Sequence, residues 1–219
     1  MMEFNYTKVY NFEGAFRGMR APMNSWDKSD SVFIGAKTYL GEKDLKLSKK
    51  LILSGSEHAK FTRQIFISAD ITAPMFWWKE MDTYKVGTVA NSTSTMHKLT
   101  SKEINIDNFQ ATLNNLVVTE NTISHGDEYS LVIEDYWEDI ITMCENLRQK
   151  YLLTKDKRYW RALIEILPQS YLQTRTWSAN YAILRNIYFQ RKDHKLSEWH
   201  EFCEWVESLP YSEDLITIE

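Results

Sequence analysis

The sequence predicts an α+β fold, an antiparallel sheet flanked by helices, on two observations. An isoleucine-rich segment at 64–72, QIFISADIT, has strand character and sits among strongly helical segments. The clearest of those helices spans 129–153, where Ile133, Trp137, Ile140, Cys144, Leu147 and Tyr151 recur at three- and four-residue steps. That spacing gives one apolar stripe, expected to pack on the sheet.

Along the chain, residues 1–34 read as irregular, with short strands around Phe4–Val9. Arg17-Gly18-Met19-Arg20-Ala21-Pro22 reads as a loop, because Gly18 frees the backbone and Pro22 blocks helix continuation. Its two arginines could clamp an anion, or simply be solvated. Residues 43–54 have a helical pattern with Gly55 as its stop. A helix over 74–86 begins with Pro74, which the first helical turn tolerates, and ends at Gly87. The segment 88–101 is dense in Ser, Thr and Asn and reads as a loop with at most a turn of helix. Short elements are expected over 103–127, with turns near Asn114–Asn115 and Gly126–Asp127. Helices at about 157–166, 179–191 and 196–208 and a strand at 171–178 complete a single domain, 1–219, without repeat or linker.

Composition narrows the function classes. Hydrophobic residues make up 43% of the 219, enough for a core and against disorder. The net charge of −4 argues against a duplex-binding protein, although local basic clusters could still hold a phosphate. Two cysteines, Cys144 and Cys203, do not make a disulfide framework and fit a reducing compartment. With no apolar run of membrane-spanning length and no apolar leader core, the cytoplasm is expected. P-loop, GxGxxG and GxSxG motifs are missing. His194, His200 and Cys203 match no zinc spacing, and Glu134, Asp135, Glu138 and Asp139 read as a solvated helix face, so no metal site is expected.

Three blocks carry a resemblance. The first is Leu51 to Gly55, then Ser56-Glu57-His58-Ala59-Lys60-Phe61-Thr62. The second is Ile71-Thr72-Ala73-Pro74 followed by MFWWKEMDTYKVGTVANSTSTMH. The third is Leu167-Pro168, Thr174-Arg175, Trp177, Asn180, Leu184, Asn186 and Arg191. In this order they resemble the flavin-dependent thymidylate synthases. The second block departs from the family in chemistry. Lys79-Glu80 stand where the family has Arg-Gln, and Thr83-Tyr84-Lys85 where it has Arg-His-Arg. Asn91 and Ser94 keep its Asn and Ser, while Ser92, Met96 and His97 replace its Glu, Arg and Tyr.

The resemblance implies methylation of dUMP at C5, with methylenetetrahydrofolate as carbon donor, reduced FAD as hydride source and no protein nucleophile. It also implies a homotetramer with shared sites. By the same resemblance, Arg191, Arg175, Lys85 and Ser94 face the nucleotide. His58, Lys79, Glu80, Tyr84, Asn91, Asn180 and Asn186 face the flavin. Each has a plainer reading: Asn180 as an N-cap, Arg191 as a cation at a helix C-terminus, His58 as a helix-end residue. The helix with Trp77, Trp78 and Tyr84 is apolar on more than one face, which suits either a partner subunit or an ordinary core. The replaced Arg-His-Arg leaves a second function open, a nucleotide-binding or protein-interaction homologue without catalysis. An enzyme acting on a different pyrimidine is a third.

Overall fold

The computed structural model describes residues 2–35, 37–110, 117–119 and 130–219, with backbone alone at 117–119 and 130–135. The turns expected near 114–115 and 126–127, and the side chains of Glu134 and Asp135, lie outside the described residues.

In chain order, strand β1 (Glu3–Tyr10) leads into helix α1 (Phe12–Arg20), the hairpin β2 (Val32–Ile34) and β3 (Lys37–Tyr39), and helix α2 (Glu42–Leu53). Strand β4 (Phe66–Pro74) runs directly into α3 (Met75–Met81), followed by β5 (Val89–Ser92) and the short α4 (Thr95–Lys98). Then come β6 (Val117–Thr119), β7 (Ser130–Val132), α5 (Ile133–Thr154) and α6 (Lys157–Ile166). Strand β8 (Leu172–Asn180), α7 (Tyr181–Arg191), α8 (Ser197–Glu207) and α9 (Ser212–Leu215) close the chain. No helix among the described residues is long and apolar enough to cross a membrane.

The described chain forms two compact units. The first comprises Met1–Ala73, Lys79–Ser92 and Thr174–Glu219. It contains the four-stranded sheet, in the order β1-β4-β8-β5. The β1–β4 and β5–β8 pairs are antiparallel, as the sequence predicts. Alternation along β4 buries Ile67, Ala69, Ile71 and Ala73. Past the exposed Phe66, its other face is polar: Thr72 and Thr174 share a 2.8 Å hydrogen bond, and Thr176 donates to Asp70 at 2.6 Å. Helix α8 packs on α7 and contributes a ladder of rings, with Phe202 edge-on to Trp177 and Trp199.

Residues 12–20 form a helix, not the loop that Gly18 and Pro22 suggest. Phe12, Ala15, Phe16 and Met19 are all buried, and this i, i+3, i+4, i+7 stripe outweighs the breakers. Pro22 falls past the helix, in a 3₁₀ turn that tolerates it. Arg20 is no anion clamp. It is buried and donates to the fully buried Asp44 at 2.5 Å. Burial pushes the Asp44 carboxyl up, but hydrogen bonds from Ser29 and Ser31 and the Arg20 guanidinium outweigh it and hold the group below the usual range.

The second unit comprises Pro74–Trp78 and Thr93–Gln173. Its core gathers Leu99, Ile104, Phe109, Ile141, Cys144 and Leu163, with Trp137, Leu147 and Tyr171 against them. Helix α5 packs along α6, with Ile141 on its buried stripe where the sequence pattern places the more exposed Ile140. Trp77 and Trp78 are fully buried in the single chain, and the Trp78 indole donates to the Gln173 carbonyl at 2.8 Å. These rings serve a core, not a partner subunit. Helix α3 also stops at Met81 and not at 86, because residues 82–87 turn back, with the Thr83 and Tyr84 amides bonded to the Glu80 and Met81 carbonyls.

Candidate functional site

The site lies in the first unit, where the end of α3 and the turn after it meet α7 and the start of α8. The turn ends at Gly87, whose φ of +77° is left-handed and disfavours a side chain. An added Cβ there would also crowd Ile183 at 3.2 Å. Asn180 starts α7 by accepting from the Ile183 amide at 3.1 Å, so its side-chain oxygen is an N-cap.

A hydrogen-bonded run joins these elements. Gln190 Nε2 donates to Asn186 Oδ1 at 3.0 Å, and the Tyr84 hydroxyl donates to Gln190 Oε1 at 3.0 Å. Arg191 Nε donates to the Tyr84 hydroxyl at 2.7 Å, and Arg191 Nη1 to Glu80 Oε2 at 2.7 Å. The same Glu80 oxygen accepts from Trp199 Nε1 at 2.9 Å, and His194 Nε2 lies 3.5 Å from it. The Arg191 guanidinium sits 4.5 Å from the centre of the Trp199 ring, a cation–π contact with a buried indole.

Two grooves open around this run. One, of about 450 Å³, lies between Ile52, Gly55, Ser56, Ala59, Thr62 and Arg63 on one side and Ala182, Arg185, Asn186, Phe189 and Gln190 on the other. Its lining holds two cations and no carboxylate, which suits an anionic ligand. Arg185 is fixed by the carbonyls of Ile216 and Ile218, each at 2.6 Å, which are neutral partners. The second groove, of about 350 Å³, is lined by Met81, Asp82, Tyr84, Lys85, Thr88, Ala90 and Trp177.

No family model matches the chain, and no curated protein sequence matches it. Solved structures do. Thymidylate synthase X (ThyX) from Helicobacter pylori with FAD and dUMP is 18% identical, with a TM-score of 0.69 over 99% of this chain and 98% of that one. A second structure of flavin-dependent thymidylate synthase ThyX from the same organism, complexed with FAD and dUMP, is 17% identical, with a TM-score of 0.66 over 96% and 97%. The UMP/dUMP methylase PolB from Streptomyces cacaoi, bound with 5-Br dUMP, is 14% identical, with a TM-score of 0.61 over 99% and 94%. The chain has the flavin-dependent thymidylate synthase fold.

On this fold, Glu80, Tyr84, Asn186 and Arg191 come together in one network. The turn carrying His58 flanks the larger groove through Gly55, Ser56 and Ala59, and the His58 side chain is exposed. Lys85 lines the smaller groove and makes no hydrogen bond or ion pair among the described residues. Arg175 is paired with Asp82 at 2.7 Å. Lys79 is exposed on α3, and Asn91 is exposed on β5 opposite Thr176. Ser94 belongs to the second unit and caps α4, accepting from the His97 amide at 3.2 Å. Arg63, Arg185, Gln190 and Trp199 escape the sequence reading, and His194 enters it only as a metal ligand that fits no zinc spacing. For Arg63 a signal existed, since it directly follows the first block's Phe61-Thr62. Among the described residues no three His, Cys, Asp or Glu side chains gather as metal ligands.

Proposed function

We propose that the chain is a diverged flavin-dependent thymidylate synthase-like enzyme that methylates dUMP at C5, with methylenetetrahydrofolate as carbon donor. The observation that carries this reading is the run Arg191–Tyr84–Gln190–Asn186. It links residues named from two separate sequence blocks and ends on the groove that the first block closes. The fold shared with two dUMP-bound synthase structures and a 5-Br dUMP-bound methylase supports it.

The groove's chemistry fits a flavin or a nucleotide. Reduced FAD, when bound, would supply the hydride. Asn186 and Gln190 would offer amide donors and acceptors to a heterocycle edge, and Arg63 and Arg185 charge to a phosphate. The protein's task is then positioning and electrostatics. Neither cysteine suits nucleophilic catalysis, because burial pushes the Cys144 and Cys203 thiols up to about 11. In this reading residues 1–219 act as one domain, assembled as a homotetramer in the cytoplasm.

A second reading is a nucleotide-binding homologue without flavin or catalysis. The observation in its favour is that two of the cations expected at the nucleotide are spent on carboxylates, Arg191 on Glu80 and Arg175 on Asp82. Visible absorbance of the purified protein, before and after added FAD, separates the two. A flavin band, with release of the C5 hydrogen from dUMP when methylenetetrahydrofolate and a reductant are added, is the expected result. Protein that stays colourless with FAD yet binds dUMP in a calorimeter would replace the enzyme reading with the second.

A further inference from the structure

Glu80 and Arg191 form a closely held ion pair at the centre of the network. One carboxylate oxygen, Oε2, takes the Arg191 Nη1 donor at 2.7 Å and the Trp199 indole N–H at 2.9 Å, with His194 Nε2 at 3.5 Å. The indole is buried and rigid, so it fixes where the carboxylate sits. Arg191 has Nε on the Tyr84 hydroxyl and its face on the Trp199 ring. Its Nη2 has no hydrogen-bond partner among the described residues, and the side chain keeps 18% of its surface exposed. Arg191 therefore has an open donor edge, but its charge is already matched.

We propose that Glu80 is an internal counter-ion that sets the ligand charge the Arg191 site accepts, weakening it for an anionic group and leaving the Nη2 edge for an uncharged polar one. An anionic oxygen at Nη2 would gain the attraction of the guanidinium and meet the repulsion of a carboxylate one guanidinium away. The rings of Trp199 and Tyr84 cover part of this corner, and Arg191 and Glu80 keep 18% and 34% of their side-chain surface exposed, so both effects are screened only in part. A neutral acceptor, such as a pyrimidine carbonyl, presents only a partial charge and so loses far less to Glu80. Glu80 is thus a specificity-determining residue. The inference rests on the reading of Arg191 as part of the ligand site.

Glu80→Gln tests it, because the amide keeps an oxygen for Trp199 and Arg191 and removes only the charge. Calorimetry would compare dUMP, which carries a phosphate, with deoxyuridine, which carries none. The variant should bind dUMP about tenfold more tightly than wild type, with deoxyuridine affinity unchanged. Unchanged or weaker dUMP binding, in a variant with wild-type near-ultraviolet dichroism, overturns the inference. So does an equal gain for both ligands. If wild type binds no dUMP, the proposed function suffers. Binding gained by Glu80→Gln would still sustain the counter-ion role, and binding by neither protein would overturn it. Should Glu80→Gln fail to fold, Glu80→Asp draws the charge back by one methylene and should tighten dUMP in the same direction. No change there also overturns it.

Discussion

Arg191 Nε donates to the hydroxyl of Tyr84 at 2.7 Å, and that hydroxyl donates onward to Gln190 at 3.0 Å. Tyr84 stands in the segment where the resemblance expects Arg-His-Arg. In place of the histidine it supplies a clamp between the turn after α3 and the end of α7. What the clamp holds is Arg191, bonded to Tyr84 and Glu80.

Arg191→Ala should weaken dUMP binding by about 1.5–3 kcal/mol, the range for a hydrogen bond to a charged group. The lower part of that range applies if Glu80 already offsets the charge. Titration calorimetry on wild type and variant reads the difference. Equal affinities would remove Arg191 from the ligand site and leave it the role of a helix C-terminal cation.

Asn180 has a structural duty that can be separated from a ligand role. Its side chain caps α7 through the Ile183 amide. Asn180→Ala should cost about 1 kcal/mol of stability in urea unfolding, as lost caps do, while Asn180→Asp should keep most of it. Aspartate caps as well but lacks the amide donor. A loss of ligand affinity in Asn180→Asp at wild-type stability would therefore assign the amide N–H to the ligand. Unchanged affinity would leave Asn180 as a cap alone.

Much of the fold was legible because its signals are local. The buried set Ile67, Ala69, Ile71 and Ala73 is an alternation within nine residues, and Cys144 and Leu147 lie on a periodic stripe. Strand β5 was not legible. Its sequence Val-Ala-Asn-Ser has weak strand character, and it is a strand because it pairs with β8 from Val89↔Ser178 to Ser92↔Arg175. The candidate site divides in the same way. Asn186 and Arg191 share one helix and could be picked out together. The partner of Arg191 lies 111 residues away in sequence, and no spacing rule reports that Glu80 occupies it. Arg185 has the same history, since it lines the groove with its guanidinium bonded to the distant Ile216 and Ile218 carbonyls.

Acid should weaken the second unit through Glu145. This carboxylate accepts from Nε and Nη2 of Arg148, the Ile104 amide and Gln149. The Arg148 hydrogen bonds, against a smaller opposing effect of burial, bring its pKa down to about 2. A depressed folded-state pKa means stability that is present above the unfolded value near ~4.3 and is lost as pH falls toward about 2. Glu145→Gln should lose roughly 2–3 kcal/mol at neutral pH and show a flatter stability profile between those limits. Denaturant melts at a series of pH values would show it, and a profile with wild-type slope would rule the linkage out.

Light scattering should report about four times the 25.9 kDa of the chain. The resemblance implies a tetramer. The register partners Tyr10 and Phe66 on β1 and β4, 49% and 50% exposed, are an apolar pair that the single chain leaves half uncovered. A monomer at micromolar concentration would remove the tetramer and weaken the enzyme reading, because a lone subunit would carry only its own share of a site.

Flavin affinity should respond to the residues on either side of Tyr84. Thr83 and Lys85 are both exposed. The Thr83 hydroxyl donates to the Glu80 carbonyl at 2.7 Å, and Lys85 has no hydrogen-bond or ion-pair partner among the described residues. Lys85 offers a point charge, whereas a guanidinium offers a planar fork matched to phosphate and carbonyl oxygens. The double variant Thr83→Arg, Lys85→Arg adds two such forks and leaves the Tyr84 clamp in place. It should bind FAD more tightly than wild type, read as quenching of flavin fluorescence on titration. Adding Tyr84→His would complete the Arg-His-Arg segment but break the bonds to Gln190 and Arg191, so the triple variant should gain less than the double and melt at a lower temperature. If the double variant gains no FAD affinity while its melting temperature matches wild type, the edge of the smaller groove does not face a flavin. The nucleotide-binding reading without flavin would then be the one to pursue.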